Sequence, residues 1–222
     1  MLTAARTTTQ PQPATRSART DALALSVAQM GAPMLHARNT EIYGEGEDAE
    51  YVYQVVSGAV RTYKILSDGR RQIGAFYLPG DVFGLEIGDE HELSAEAICN
   101  CTISVIKRAS LASLAGRDHG VAHALWILTA RELQRAQKHV LLLVRTAQER
   151  VASFLLEMAD RTAAVASVEL PMSRQDIADY LGLTIETVSR TLTLLEGQAA
   201  IALPSARRIQ LTNVRELRRL DS

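Results

Sequence analysis

From about His119 to Ala147 the chain has no proline, and no glycine beyond Gly120, and no other stretch constrains the fold as much. Apolar or small residues recur three or four apart at Ala122, Trp126, Ala130, Leu133, Ala136, Val140, Leu143 and Ala147, which predicts one long helix with a coiled-coil-like stripe. Around Leu141 to Val144 this helix is apolar nearly all round, so it needs cover on two sides. Its own β domain supplies one cover and the same helix of a second subunit the other; the alternative is a helix buried inside a monomer.

On the N-terminal side, from about Glu41 to Arg108, short alternating segments are broken by glycines and turns. Tyr51-Val52-Tyr53-Gln54-Val55-Val56 and Ala59-Val60-Arg61-Thr62-Tyr63-Lys64-Ile65 flank Ser57-Gly58. Asp68-Gly69 predicts a short hairpin with a two-residue primed turn, which needs positive φ. The loop Leu78-Pro79-Gly80-Asp81-Val82-Phe83-Gly84 follows, and Ala95 to Ile106 closes with another alternating run. This half reads as a small antiparallel β unit.

On the C-terminal side, Arg150-Val151-Ala152-Ser153-Phe154-Leu155-Leu156 is helical again, and Ala163 to Ser167 is a short connector. Ser173-Arg174-Gln175-Asp176 fits a capping box. Leu181-Gly182-Leu183-Thr184 supplies a tight turn, with Gly182 for a left-handed residue and Thr184 to cap the next helix, Ile185 to Gly197. Two short helices joined by a glycine turn make a helix-turn-helix. Ala200 to Leu203 and Arg207 to Leu211, around Pro204-Ser205-Ala206, read as a two-stranded wing, and Asn213 caps a last short helix. The fold class is α+β.

Composition narrows the function. With 222 residues, 24 Lys+Arg against 25 Asp+Glu and 47% hydrophobic residues, the chain is an ordinary globular sequence of one large or two small domains. Its apolar runs fall far short of the roughly 20 residues of a membrane helix, so no membrane partner is expected. The first twenty residues carry Arg6, Arg16 and Arg19 and no acid, but Pro11 and Pro13 interrupt any amphipathic helix; a disordered tail on a cytoplasmic protein is expected. Cys99 and Cys101 sit one residue apart in a strand-like run, point to opposite faces and make no disulfide framework; they read as structural thiols. There is no Walker-type loop, no GxSxG elbow and no zinc-spaced His cluster, so an enzyme is not expected. No metal or cofactor is expected either. Arg61, Lys64, Arg70 and Arg71 around the hairpin read as a solvated face.

The chemistry lies on the second helix of the helix-turn-helix. Ile177, Leu181, Val188, Leu192 and Leu195 form the shared apolar face, which leaves Glu186, Ser189, Arg190 and Thr193 together on the other side. Arg donates two bonds to guanine, Glu accepts from the cytosine amino group, and Ser reaches a base edge or a phosphate. The alternative use of Glu186 and Arg190 is an i,i+4 pair worth about 0.3–0.5 kcal/mol. Arg207 and Arg208 on the wing favour DNA.

These motifs resemble the CRP/FNR superfamily of bacterial transcription regulators over about Leu23 to Leu220. The resemblance rests on Ser57-Gly58, Asp68-Gly69, the Pro79-Gly80-Asp81-Val82-Phe83-Gly84 loop, the long helix and, above all, the run from Ser173 to Arg190. It implies a cNMP-binding-like β-roll over residues 21–118 after a tail at 1–20, a dimerisation helix over 119–147, and a winged helix-turn-helix over 148–222. Glu-x-x-Ser-Arg marks the FNR-like group, which implies that Glu186, Ser189 and Arg190 read TTGA-type half-sites. Ser173, Arg174, Gln175, Thr184, Thr187 and Arg207 are expected to hold phosphates of a palindromic double-stranded DNA. Trp126, Leu133, Ala136, Val140 and Leu143 are expected at the homodimer seam. The resemblance also implies RNA polymerase as a partner and gives Arg61, Lys64, Arg70 and Arg71 an alternative role on a polymerase-contacting surface of the β domain.

The resemblance also bears on sensing. The tail lacks the cysteines that hold the iron–sulfur cluster of FNR. Gly84 is followed by Leu85 before Glu86, and Leu93 precedes Ser94 where cyclic-nucleotide binders place an Arg, so a buried cyclic phosphate would lack its cation. This pattern resembles the FixK branch, which implies a TTGAT-type palindrome, no bound effector and control of microaerobic or anaerobic genes. The rival is a regulator with a small ligand, haem or a redox signal in the β-roll, with His91, set in a polar loop, or His139 as the candidate haem ligand.

Overall fold

The computed structural model describes residues 31–162 and 167–221. The expected tail at 1–20 and most of the connector after Ala163 lie outside the described residues. Eight strands come first: β1 (Ala32–His36), β2 (Glu41–Tyr43), β3 (Tyr51–Ser57), β4 (Val60–Ile65), β5 (Arg71–Tyr77), β6 (Val82–Phe83), β7 (Ser94–Ala97) and β8 (Cys101–Lys107). They form two four-stranded antiparallel sheets, ordered β1-β8-β3-β6 and β2-β7-β4-β5. Alternation decides which side chains meet between the sheets: Val55, Val60, Phe83, Ala95, Ala97, Cys101 and Ile103 come from both and are all buried.

The interior of this β-roll is aromatic. Tyr43 stacks on His91 with centroids 3.6 Å apart, Tyr53 lies 5.1 Å from Tyr43 and 5.2 Å from Phe83, and Tyr77 lies 5.0 Å from Phe83. His91 is therefore no part of a solvated polar loop: its ring is fully buried, with Nδ1 3.2 Å from a Glu86 carboxylate oxygen. The hairpin between β4 and β5 also differs from expectation. Leu66 and Arg70 close a three-residue loop in which Gly69 takes φ +82°, the wider hairpin in which a glycine provides a bulge after an ordinary turn.

Two helices follow, α1 (Arg108–Ala115) and α2 (His119–Leu142), the second capped by Asp118 through the amides of Gly120 and Val121. The long helix stops at Leu142 and does not reach Ala147. Thr146 accepts from the Glu149 amide while Glu149 accepts from the Thr146 amide, a capping box that starts α3 (Ala147–Arg161) and breaks the apolar run into two helices. After β9 (Ser167–Glu169) come α4 (Arg174–Leu181), α5 (Ile185–Gly197), β10 (Arg208–Gln210) and α6 (Val214–Leu220). The wing pairs β10 with β9, and Ala202 meets Gln210 only through an isolated bridge. Ala200 to Leu203 is thus not the main wing strand; three residues after the connector, with a single buried valine among them, are too short a pattern to read as one.

One apolar core crosses from the roll into the C-terminal domain. Ala59, Ile73, Phe76, Leu78 and Ile98 of the roll belong to the same buried cluster as Phe154, Met158, Ile177, Tyr180, Leu181, Val188, Leu192 and Leu195. Phe76, Phe154 and Tyr180 are mutually packed at 5.1–6.2 Å, and Tyr180 also lies 4.2 Å from His139 of α2.

Candidate nucleic-acid interface

The helix-turn-helix assembles as its residues dictate. Ser173 caps α4 by accepting from the Asp176 amide, and Asp176 in return accepts from the Ser173 amide and hydroxyl. Gly182 ends α4 at φ +61°, a left-handed conformation that costs a side-chain-bearing residue more than glycine. Thr184 then caps α5 by accepting from the Thr187 amide. Val188, Leu192 and Leu195 of α5 are buried against Ile177 and Leu181 of α4.

The opposite face of α5 is open. Glu186, Arg190 and Thr193 are exposed and Ser189 is half-exposed, all on one side. Arg190 makes no ion pair with any described carboxylate, so its guanidinium is available. Glu186 is held below the usual carboxylate range by its own backbone amide, then by the Thr184 hydroxyl, with a smaller contribution from Arg190; it stays ionised as an acceptor.

Around this face stand the residues expected to hold phosphates. Gln175 and Thr184 are exposed, Arg174 and Thr187 half-exposed, at the starts of α4 and α5, where free amides favour anions. Ser173 differs: its hydroxyl proton goes to Asp176, so it shapes the helix start and has no proton left for a phosphate. Gln175 donates to Asp179 but keeps its second amide proton. Arg207 is exposed on the wing, beside Arg208, which reaches Glu169 at 3.6 Å.

On α2, Trp126, Leu133, Ala136 and Val140 are exposed along one stripe, continued by Leu141 and Val144. Leu143 departs from that set. It lies past the end of the helix, half-buried, where a Cβ on Gly182 would stand 3.4 Å from its side chain, so it packs inward over the glycine turn.

Sequence reasoning missed the support of the interface. Arg61 and Arg71 are not a solvated face. Arg61, with a side chain 9% exposed, donates to Glu96 at 2.9 Å and to Asp176 at 2.7 Å. Arg71 donates to Asp176 and Asp179, both at 2.7 Å, and Gln72 donates to the Asp179 carbonyl at 2.7 Å. A signal existed: on β4, Arg61 shares its face with Tyr63 and Ile65, and a cation on an apolar face needs a partner. Lys64 and Arg70 remain on the surface, paired with Glu45 and Asp68. A second cluster ties the Pro79-Gly80-Asp81 loop to the helices: Asp81 accepts from Arg161 at 2.6 Å and from Arg135 at 3.5 Å.

No helix among the described residues is long and apolar enough to cross a membrane, and no group of three or more His, Cys, Asp or Glu among them is arranged to hold a metal ion.

Comparison with known proteins agrees with this geometry. The Crp-like helix-turn-helix domain family matches residues 149–220, and the Cyclic nucleotide-binding domain family matches residues 35–118. The nitrogen fixation regulation protein FixK of Azorhizobium caulinodans is 57% identical over 202 residues, covering 88% of this chain and 82% of that protein. FixK of Rhizobium meliloti is 44% identical over 200 residues, covering 88% of this chain and 92% of the relative. The solved structure of FixK2 from Bradyrhizobium japonicum superposes with a TM-score of 0.83 at 57% identity, covering 86% of this chain and 98% of that one. The chain belongs to the CRP/FNR family of DNA-binding transcription regulators and, within it, to the FixK type.

Proposed function

We propose that this regulator acts as a homodimer on a TTGAT-type palindrome without a bound effector. Glu186, Ser189 and Arg190 read base edges. Arg174, Gln175, Thr184, Thr187 and Arg207 hold phosphates, and Ser173 presents the start of α4. The seam runs along Trp126, Leu133, Ala136 and Val140. In this reading the chain divides into a sensor-type domain to residue 118, a dimerisation helix from residue 119 and a DNA-binding domain from about residue 148. RNA polymerase is the partner at the promoter. The names of the FixK relatives support a role in nitrogen-fixation gene control, and this reading extends it to microaerobic or anaerobic genes.

The observation that carries the base-reading assignment is the open Glu186–Ser189–Arg190 face on a helix whose other side is sealed. Effector independence is supported by the roll interior, where Tyr43, Tyr53, Phe83 and His91 stack at centroid distances a few ångströms apart. The rival, a small ligand in the roll, has one observation on its side: the second Glu86 carboxylate oxygen and His91 Nε2 are buried without a hydrogen-bond partner. Fluorescence anisotropy of exhaustively dialysed protein on a TTGAT palindrome, a TGTGA palindrome and a scrambled duplex decides between them. Tight binding to TTGAT alone is expected; equal, salt-sensitive binding to all three would favour the rival.

A further inference from the structure

Two domains joined by a short connector ordinarily move against each other unless a large apolar interface holds them. This chain has the apolar interface, with Phe76, Phe154 and Tyr180 at its centre. Apolar contact is non-directional, however, and tolerates sliding and rotation. What fixes the register is charge. Arg61 of β4 and Arg71 of β5 converge on one carboxylate oxygen of Asp176, each at 2.7 Å, from positions 115 and 105 residues away in sequence. Arg71 also grips Asp179 one turn further along α4, and Gln72 donates to the Asp179 carbonyl.

Asp176 is the centre of this arrangement because it has two tasks. Its other carboxylate oxygen closes the capping box on Ser173, so the start of α4 and the two arginines share one side chain, itself 3% exposed. Two grips one turn apart fix both the position of α4 and its rotation about its own axis. Through the Gly182 turn and the shared core, α5 must follow α4. Charge-assisted pairs of this kind specify geometry more than they add stability.

We propose that Arg61 and Arg71, latched onto Asp176 and Asp179, are positioning residues for DNA recognition: they hold α4 on the β4–β5 hairpin so that α5 is presented in one orientation with no ligand in the roll. This rests on the effector-free reading above and supplies its physical basis.

Arg61→Met would strip Glu96 of its cation and leave buried Asp176 with Arg71 alone, which could simply unfold the protein, so the test uses the half-exposed arm of the latch. Arg71→Gln and Asp179→Asn are compared with the unmodified full-length protein and with Arg70→Gln, which removes a neighbouring surface cation outside the latch. Each is measured by anisotropy on the TTGAT palindrome and by small-angle X-ray scattering of the DNA-free dimer, with thermal unfolding to show that it is folded at the assay temperature. If latching keeps nearly all molecules competent, freeing α4 lowers the apparent affinity about tenfold, in proportion to the competent fraction. Arg71→Gln and Asp179→Asn are each expected to do so and to raise the radius of gyration, while Arg70→Gln should leave both readouts as in the unmodified protein. Folded Arg71→Gln and Asp179→Asn proteins with unmodified affinity and dimensions, or an equal loss in Arg70→Gln, overturn the latch. Failure of the unmodified protein to prefer TTGAT would instead overturn the effector-free reading, and the scattering comparison would still test the latch.

Discussion

Arg190 and His139 show how differently a side chain's surroundings set its use. Arg190 is exposed and unpaired with any described carboxylate, so its replacement by alanine removes the proposed base contact and little structure. The expected result is a loss of about 1–3 kcal/mol in binding the palindrome and flattened discrimination at one guanine, measured by anisotropy on single-base variants. If Arg190→Ala still discriminates every base as before, its assignment is wrong. His139 is the opposite case. Burial against Tyr180 pushes its pKa below the ordinary 6.5. The folded state then binds fewer protons than the unfolded chain as pH falls below that value. Stability is therefore full above about pH 6.5 and declines as pH drops towards the folded pKa. Urea midpoints measured from pH 7.5 down to 5.5 should fall less in His139→Phe, which keeps the ring contact and removes the titration. That Glu186, Ser189 and Arg190 share one open face of α5 was legible at this scale because its spacing is local. The bonds of Arg61 and Arg71 to Asp176 and Asp179 were not, since those carboxylates lie more than a hundred residues away along the chain.

Among the elements, α2 carries the clearest expectation. A carboxylate introduced at Leu133, which is 60% exposed on the stripe, would face its symmetry mate across the proposed seam. Leu133→Glu should shift the protein to monomers in sedimentation experiments and weaken palindrome binding by at least tenfold, because a half-site engages too few phosphates alone. A monomeric unmodified protein would remove the seam altogether. Thr146→Ala, which breaks the capping box at the start of α3, should cost about 1 kcal/mol in urea unfolding. That capping box also explains why the length of α2 was misjudged: the apolar period runs on past Leu142, and Thr-x-x-Glu at residues 146–149 outweighs it. Ser173 and Thr184 were legible as caps because nothing apolar competed there. The wing strand at Ser167–Glu169 escaped because three residues carry too little alternation to register.

For the whole molecule, the antiparallel roll, long helix and helix-turn-helix could be read from pattern and resemblance, but the way the two ends meet could not. Phe76 and Tyr180 are ordinary core residues in sequence, and only the folded chain makes them neighbours. The proposed dimer sets one further test. Half-sites should be read best about one helical turn, roughly 34 Å, apart, and inserting about half a turn between them should abolish the preference over scrambled DNA. The uncovered stripe on α2 has a kinetic meaning of its own. Where monomers predominate, a species made of two identical chains rises as the square of the chain's concentration. Trp126, Leu133 and Val140 would then turn a modest change in synthesis rate into a larger change at the promoter, so the cell's instrument for adjusting output would be translation and turnover of the chain itself.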